Sequence, residues 1–210
     1  MSDIDAIFND DDFFTDMGNE KKETPKPKFT PWADGEYYGH ITDVESREVN
    51  THKGKHKAMV FNFKVVVDEA NASKQYNYKW GNTSYTAKGT EYVGQKIRAC
   101  GVFRYLVPKE GDDFTANPEG NKSYGYFCEA IGIKLPTVEK EINGETVKVK
   151  SLPTIKADDI IGMPVVGVVG KGRPYTNKNG KEVTPSEVKF VKAWSDGIKK
   201  EMNADADIPF

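Results

Sequence analysis

The sequence predicts a mainly β protein: a small Greek-key barrel with one inserted helix and flexible acidic termini. Three observations lead there. Aromatic residues make up 11% of the 210 residues, a share that suits strands better than helices. Nineteen glycines and eleven prolines supply many turns. Short runs of alternating apolar and polar residues recur between about residue 35 and residue 194.

Residues 1–30 read as an acidic, largely flexible N-terminal segment. "EKKETPKPKFTP" is charged and holds Pro25, Pro27 and Pro31, so it does not pack alone. Before it, "IDAIFNDDDFFTDM" carries Ile4, Ile7, Phe8, Phe13 and Phe14 among its acids, a pattern compatible with a short docked helix. Order is expected over 31–196. Tyr37, Gly39 and Ile41 alternate with Tyr38, His40 and Thr42 as a strand. "NTHKGKHK" is a basic turn tipped by Gly54, and "AMVFNFKVVVDE" returns as the second strand of a hairpin. Its two faces are Met59, Phe61, Phe63, Val65 and Val67 against Val60, Asn62, Lys64 and Val66.

"KQYNYKWGNTSYT" reads as a third strand, and "GQKIRACGVFRYLVP" as another that ends at Pro108. An insertion spans about 108–157. In it, "SYGYFCEAIGI" predicts a helix, with Tyr124, Phe127, Cys128 and Ile131 on one face and Gly132 as its C-cap. "VEKEINGETVKVKSLP" predicts a hairpin about its Asn-Gly turn. Asp158 and Asp159 sit before Ile160 as a cap or turn pair would. Val165–Val169 is a buried strand, "TNKNGKE" a turn and "SEVKFVKAW" the last strand. Among small all-β plans, a five-stranded barrel of the OB type fits best, with a sandwich as the competing plan.

Charge is distributed unevenly. Residues 1–24 hold eight acids and two lysines, and 201–210 hold three acids and no base. That leaves 28 of 30 basic and 21 of 32 acidic residues for 25–200, a body of +7 between acidic ends. Nucleic-acid binders commonly have this layout. There is no apolar run of about 18 residues, so no membrane span is expected. The N-terminus lacks the basic-then-apolar order of a signal peptide. Two cysteines, Cys100 and Cys128, make neither a disulfide framework nor a zinc site, so a cytoplasmic protein is expected.

Phosphate-loop, nucleophile-elbow and zincin patterns are missing, which argues against an enzyme and against a cofactor. His52 and His56 have metal-like spacing, but they flank "KGK", whose lysines repel a cation. The basic residues cluster by loop and strand instead: Lys53, Lys55 and Lys57; Lys171 and Arg173; Lys178 and Lys181; Lys79, Arg98 and Arg104. Such residues beside a groove track phosphates, and rings next to them stack on any base. Tyr78, Trp80, Phe103, Tyr105, Tyr175 and Trp194 are the candidate rings, each with core packing as its alternative.

Two stretches, "GEYYGHITDVESREVNTHKGKHKAMVFNFKVV" and "IIGMPVVGVVGKGRPYTNKNGKEVTPSEVKFV", resemble phage replicative single-stranded DNA-binding proteins with an OB-like barrel. The likeness covers roughly residues 30–195 and includes "GVFRYLVPKEG" to "SYGYFCEAIGIKLP". It implies single-stranded DNA binding by the sheet face and loops during replication or recombination, in the host bacterial cytoplasm. Cooperative coating is usual for such binders, so self-association on DNA belongs to the same expectation.

The tail 197–210 ends in "DADIPF", similar to the acidic Ile-Pro-Phe tip of bacterial single-stranded DNA-binding proteins. The resemblance implies that Ile208, Pro209 and Phe210 fill a basic-rimmed pocket on replication or repair proteins, steered by Asp205 and Asp207. Terminal aromatic carboxylates are captured in this way. The last strand is expected to end near Trp194, leaving a tail of about 15 residues with a reach of about 20–25 Å. The acidic N-terminal stretch favours a different class, an interaction protein that mimics nucleic acid or inhibits a host complex.

Overall fold

The computed structural model describes residues 29–51, 56–106, 118–142 and 144–202. The protein is mainly β. Strand β1 (Gly35–Thr51) and β2 (His56–Val67) form the long central hairpin. Next come β3 (Gln75–Trp80), β4 (Thr83–Lys88), β5 (Lys96–Arg98) and β6 (Val102–Leu106). The insertion holds α1 (Pro118–Ala130), β7 (Thr137–Ile142), β8 (Glu145–Lys150) and the short α2 (Ala157–Ile160). The chain then forms β9 (Pro164–Lys171), a small hairpin of β10 (Tyr175–Thr176) and β11 (Glu182–Val183), and β12 (Ser186–Ala193).

The main sheet runs β12-β9-β1-β2-β5, and β6 pairs with β2 beyond β5. At the outer ends, Ala99 bridges Val188 in parallel, and the Cys100 N–H donates to the Val188 carbonyl at 3.0 Å. The last strand thus meets the β5–β6 segment at one point. Among the described residues, no helix is long and apolar enough to cross a membrane.

Two expected single strands are split. "KQYNYKWGNTSYT" is the hairpin β3–β4 rather than one strand, because Trp80 pairs with Thr83 across a two-residue Gly81–Asn82 turn. "GQKIRACGVFRYLVP" is β5 and β6, both antiparallel to β2. Residues 99–101 oppose only Asn62 and Phe63, and Gly101 takes φ 87°, a left-handed backbone that glycine tolerates best.

The alternation expected in β2 holds from Phe61 to Val67, with Phe61, Phe63, Val65 and Val67 buried; nearer the turn it does not, since Ala58 and Val60 on the opposite face are buried and Met59 only partly so. Phe61, Phe63, Val65 and Val67 meet Tyr37, Ile41, Ile97, Val165 and Val188 in the core. Helix α1 covers one side, with Phe61 stacked near Tyr124 and Phe63 near Phe127. The helix ends as a Schellman motif, where the Ile133 N–H bonds the Cys128 carbonyl and the Gly132 N–H bonds that of Glu129. Asp159 caps α2 by accepting from the Lys156 N–H at 2.7 Å. A second aromatic cluster of Trp32, Tyr37, Tyr76 and Tyr92 ties β3–β4 and the entering segment to β1.

The C-terminal end of the described chain is a strap across β1. The Ile198 carbonyl lies 3.0 Å from His40 Nε2, and the Lys200 N–H donates to Gly162 at 3.0 Å. Lys200 also pairs with Asp68, and Trp194 packs on Tyr38 and His40. The expected tail 197–210 is therefore held to the body as far as Lys200. Residues 203–210 lie outside the described residues.

Candidate nucleic-acid interface

Strand register decides which side chains share a surface. Lys64 stands opposite Arg98 and Val66 opposite Lys96 on β5; Val60 stands opposite Phe103 and Ala58 opposite Tyr105 on β6. On β1, Thr42, Glu45, Arg47 and Val49 stand opposite Lys64, Asn62, Val60 and Ala58. Alternation along β2 places this whole set on the face away from buried Phe61, Phe63 and Val65. The surface runs from Lys96, Lys64 and Arg98, through Asn62, to two rows across the sheet, Arg47–Val60–Phe103 and Val49–Ala58–Tyr105.

Arg47 reaches this face because β1 carries one extra residue between Thr42 and Glu45, where Asp43 takes φ 49°. Without that bulge the odd-numbered residues of β1 would continue on the core side, as Tyr37 and Ile41 do. Asp43 also bridges two cations, with Lys64 at 3.1 Å and Lys96 at 3.3 Å. Burial pushes its carboxyl up, but the two ammonium groups outweigh this and hold it below the usual carboxylate range. Arg47 and Arg98 are exposed and have no ion-pair partner among the described residues.

Phe103 and Tyr105 are half-buried, with ring centroids 6.3 Å apart and planes 25° from parallel. Buried Asn121 of α1 fixes their strand: its Oδ1 accepts from the Tyr105 N–H at 2.8 Å, and its Nδ2 donates to the Tyr105 carbonyl at 3.3 Å. The face therefore offers two rings held in place, two exposed arginines without an ion-pair partner among the described residues, and a shared lysine pair. It can hold an extended polyanion with flat bases. No group of three or more His, Cys, Asp or Glu able to hold a metal occurs among the described residues.

The sequence candidates separate into groups. Arg98, Phe103 and Tyr105 lie on the sheet face. Lys171, Arg173, Tyr175, Lys178 and Lys181 lie together on the β9–β12 connection, all exposed, with Tyr175 at 54%. Lys79 and Lys171 line a separate shallow cleft of about 370 Å³ beside Trp32 and Asp34. Trp80 is partly exposed and meets Phe29 edge to face.

Tyr78 is a correction. It is 6% exposed and belongs to the core, stacked with Tyr85, because its alternating face on β3 turns inward with Tyr76. Arg104 stands opposite Met59, on the other face of β6 from Phe103, and its charge bears on Tyr124 and Cys128 of α1. Lys57 pairs with Glu48 at 3.2 Å. Trp194 packs against the strap. Lys53, Lys55, Asp205, Asp207, Ile208, Pro209 and Phe210 lie outside the described residues.

Arg47 and Asn62 were missed as site residues. A bulge in one strand sets which way Arg47 points, and the alternation of its own sequence hides that. Comparison with protein-family profiles, curated proteins and solved structures gives no match for this chain.

Proposed function

We propose that this protein binds single-stranded DNA without sequence preference, as a non-enzymatic coating protein in phage replication or recombination. The observation that carries the reading is the outer face of β1, β2 and β5–β6, which Phe103 and Tyr105 share with Arg47 and Arg98, two arginines with no ion-pair partner among the described residues. Rings stack on any base, and cations follow the phosphates regardless of sequence.

An OB-type barrel is part of this reading. Its support is the order of five strands: β1 beside β2, then β5–β6, a helix, β9 returning beside β1, and β12 beside β9. The parallel bridge at Ala99–Val188 brings the fifth strand to the third. In that plan ligands cross strands two and three, between the loops joining strands one to two and four to five. The second of those loops is the β9–β12 connection with Arg173, Tyr175, Lys178 and Lys181.

In the same reading, "DADIPF" recruits replication or recombination proteins, with Phe210 and Pro209 in the partner's pocket. Residues 203–210 span at most about 29 Å when fully extended. A partner gripping Phe210 is thereby held close to the strap.

Titration of a labelled oligo-dT tests the proposal. Tight binding at about 50 mM salt, preference over duplex and a steep loss of affinity with added salt are expected. No binding to oligo-dT at that salt would refute it.

A further inference from the structure

Beside the point where Ala99 meets Val188, β6 and β12 diverge and leave a slot of about 810 Å³. Its floor is Phe63, Phe127 and Val188, and its rim includes Cys100, Tyr126 and Phe190. Tyr126 and Phe190 are large rings left 60% and 56% exposed. The volume lies within the roughly 300–1,000 Å³ range of sites that take ligands.

The slot also has an unpaired strand edge. The Tyr105 N–H and carbonyl turn away from β2 to reach Asn121. The two-residue repeat of an antiparallel strand turns the Phe103 N–H and carbonyl the same way. Neither has a partner among the described residues. Apolar walls with a free backbone donor and acceptor suit an added strand.

We propose that this slot holds residues Ile4–Phe8 of the chain's own N-terminal segment, extended along β6 through the free backbone groups of Phe103. In extended form, Ile4, Ala6 and Phe8 share one side and meet the apolar floor, while Asp5 faces outward. Asp10, Asp11 and Asp12 follow directly. The charge near Cys100 at the slot's mouth is mixed: Glu187, paired with Lys189 at 3.0 Å, bears on the thiol more than either Lys189 or Arg173 does.

Position and length favour this occupant. Trp32 lies at the start of β12, where its carbonyl accepts from Ser186 Oγ at 3.4 Å. The slot's wall begins two residues further on, about 7 Å along the strand. From Phe29 back to Phe8 the chain has 20 intervening residues, enough to cover about 25 Å even as a random coil. The docking does not rest on DNA binding, and its test contains no DNA.

The test uses the full chain and its native Cys100. Single variants Ile4→Cys, Ala6→Cys and Phe8→Cys are oxidised with diamide, which takes up the two electrons and two protons released by each pair of thiols. Buried Cys128, whose thiol is pushed up to about 11 chiefly by burial, should stay unreacted. At least one variant is expected to form an intrachain disulfide to Cys100, seen by mass spectrometry and abolished by Cys100→Ser. In parallel, Phe8→Asp should raise the rate of Cys100 labelling by a thiol reagent about tenfold. Absence of any Cys100 cross-link, or cross-links only between two chains, would overturn the proposal, as would an unchanged labelling rate. Interchain links would identify a second copy as the occupant.

Discussion

Replacing Phe103 by alanine removes one ring from the outer face and leaves every charge in place. A stacked base contributes about 1–3 kcal/mol to single-strand binding. At 1.4 kcal/mol per tenfold, the dissociation constant for oligo-dT should rise about 5- to 150-fold. Phe103 is only half-buried, so its truncation should cost the fold less than the about 3–5 kcal/mol of a fully buried phenylalanine. Phe103→Leu separates the two effects: it keeps apolar bulk against Val60 but has no flat face for a base. Both variants should weaken binding, and Phe103→Leu should melt near wild type. The salt dependence should keep its slope, because no phosphate contact is lost. Fluorescence anisotropy at several salt concentrations reads all of this. Unchanged affinity in both variants, with the fold intact, would refute the stacking role of β6.

Arg47→Gln and Arg98→Gln should each lower the magnitude of the log–log salt slope by about 0.7, the amount for one phosphate contact on a single strand; an unchanged slope would remove that arginine from the interface. Gly162→Ala should destabilise the strap by more than about 1 kcal/mol, because residue 162 holds φ 77° and a Cβ would lie 1.9 Å from the Lys200 carbonyl oxygen; a melting temperature equal to wild type would contradict this. Burial holds His40 neutral, lowering its pKa against the opposing bond to Ile198. Its unfolded form binds a proton first, so the stability it contributes is complete above about pH 6.5 and falls as pH drops toward the folded pKa. The slope there is at most about 1.4 kcal/mol per pH unit, and His40→Gln should flatten it in chemical denaturation curves taken between pH 5 and 7.5.

Period-two and helical patterns made β1, β2, α1 and the β7–β8 hairpin legible, because each carries its apolar residues at the spacing of its own element. Gly132 marked the end of α1 for the same local reason. The β3–β4 split was harder to see, since aromatic and polar residues continue across Gly81 and Asn82 without a break in composition. The sheet-face site was half legible. Arg98 and Tyr105 could be named as basic and aromatic strand residues. That Arg47 joins them depends on the bulge at Asp43, and that Arg104 departs from them depends on which side of β6 meets α1. Both are properties of strand pairs, which a single strand's pattern does not encode. Tyr78 shows the opposite error: a ring in a polar run looked available, but the tyrosines beside it form a core.

The pairing of β1 with β9 has a consequence for how the protein is made. Gly35 and Pro164 are 129 positions apart in the chain. At about 5–20 residues per second, β1 leaves the ribosome roughly 6–26 s before its partner. Through that interval the central strand has one edge without a neighbour, and the outer strands meet at Ala99 only when β12 follows. Contacts so distant in sequence slow folding and prolong exposure of strand edges. Shortened chains ending before Pro164 are therefore prone to aggregate, and the main sheet can assemble only once β9 and β12 have been made.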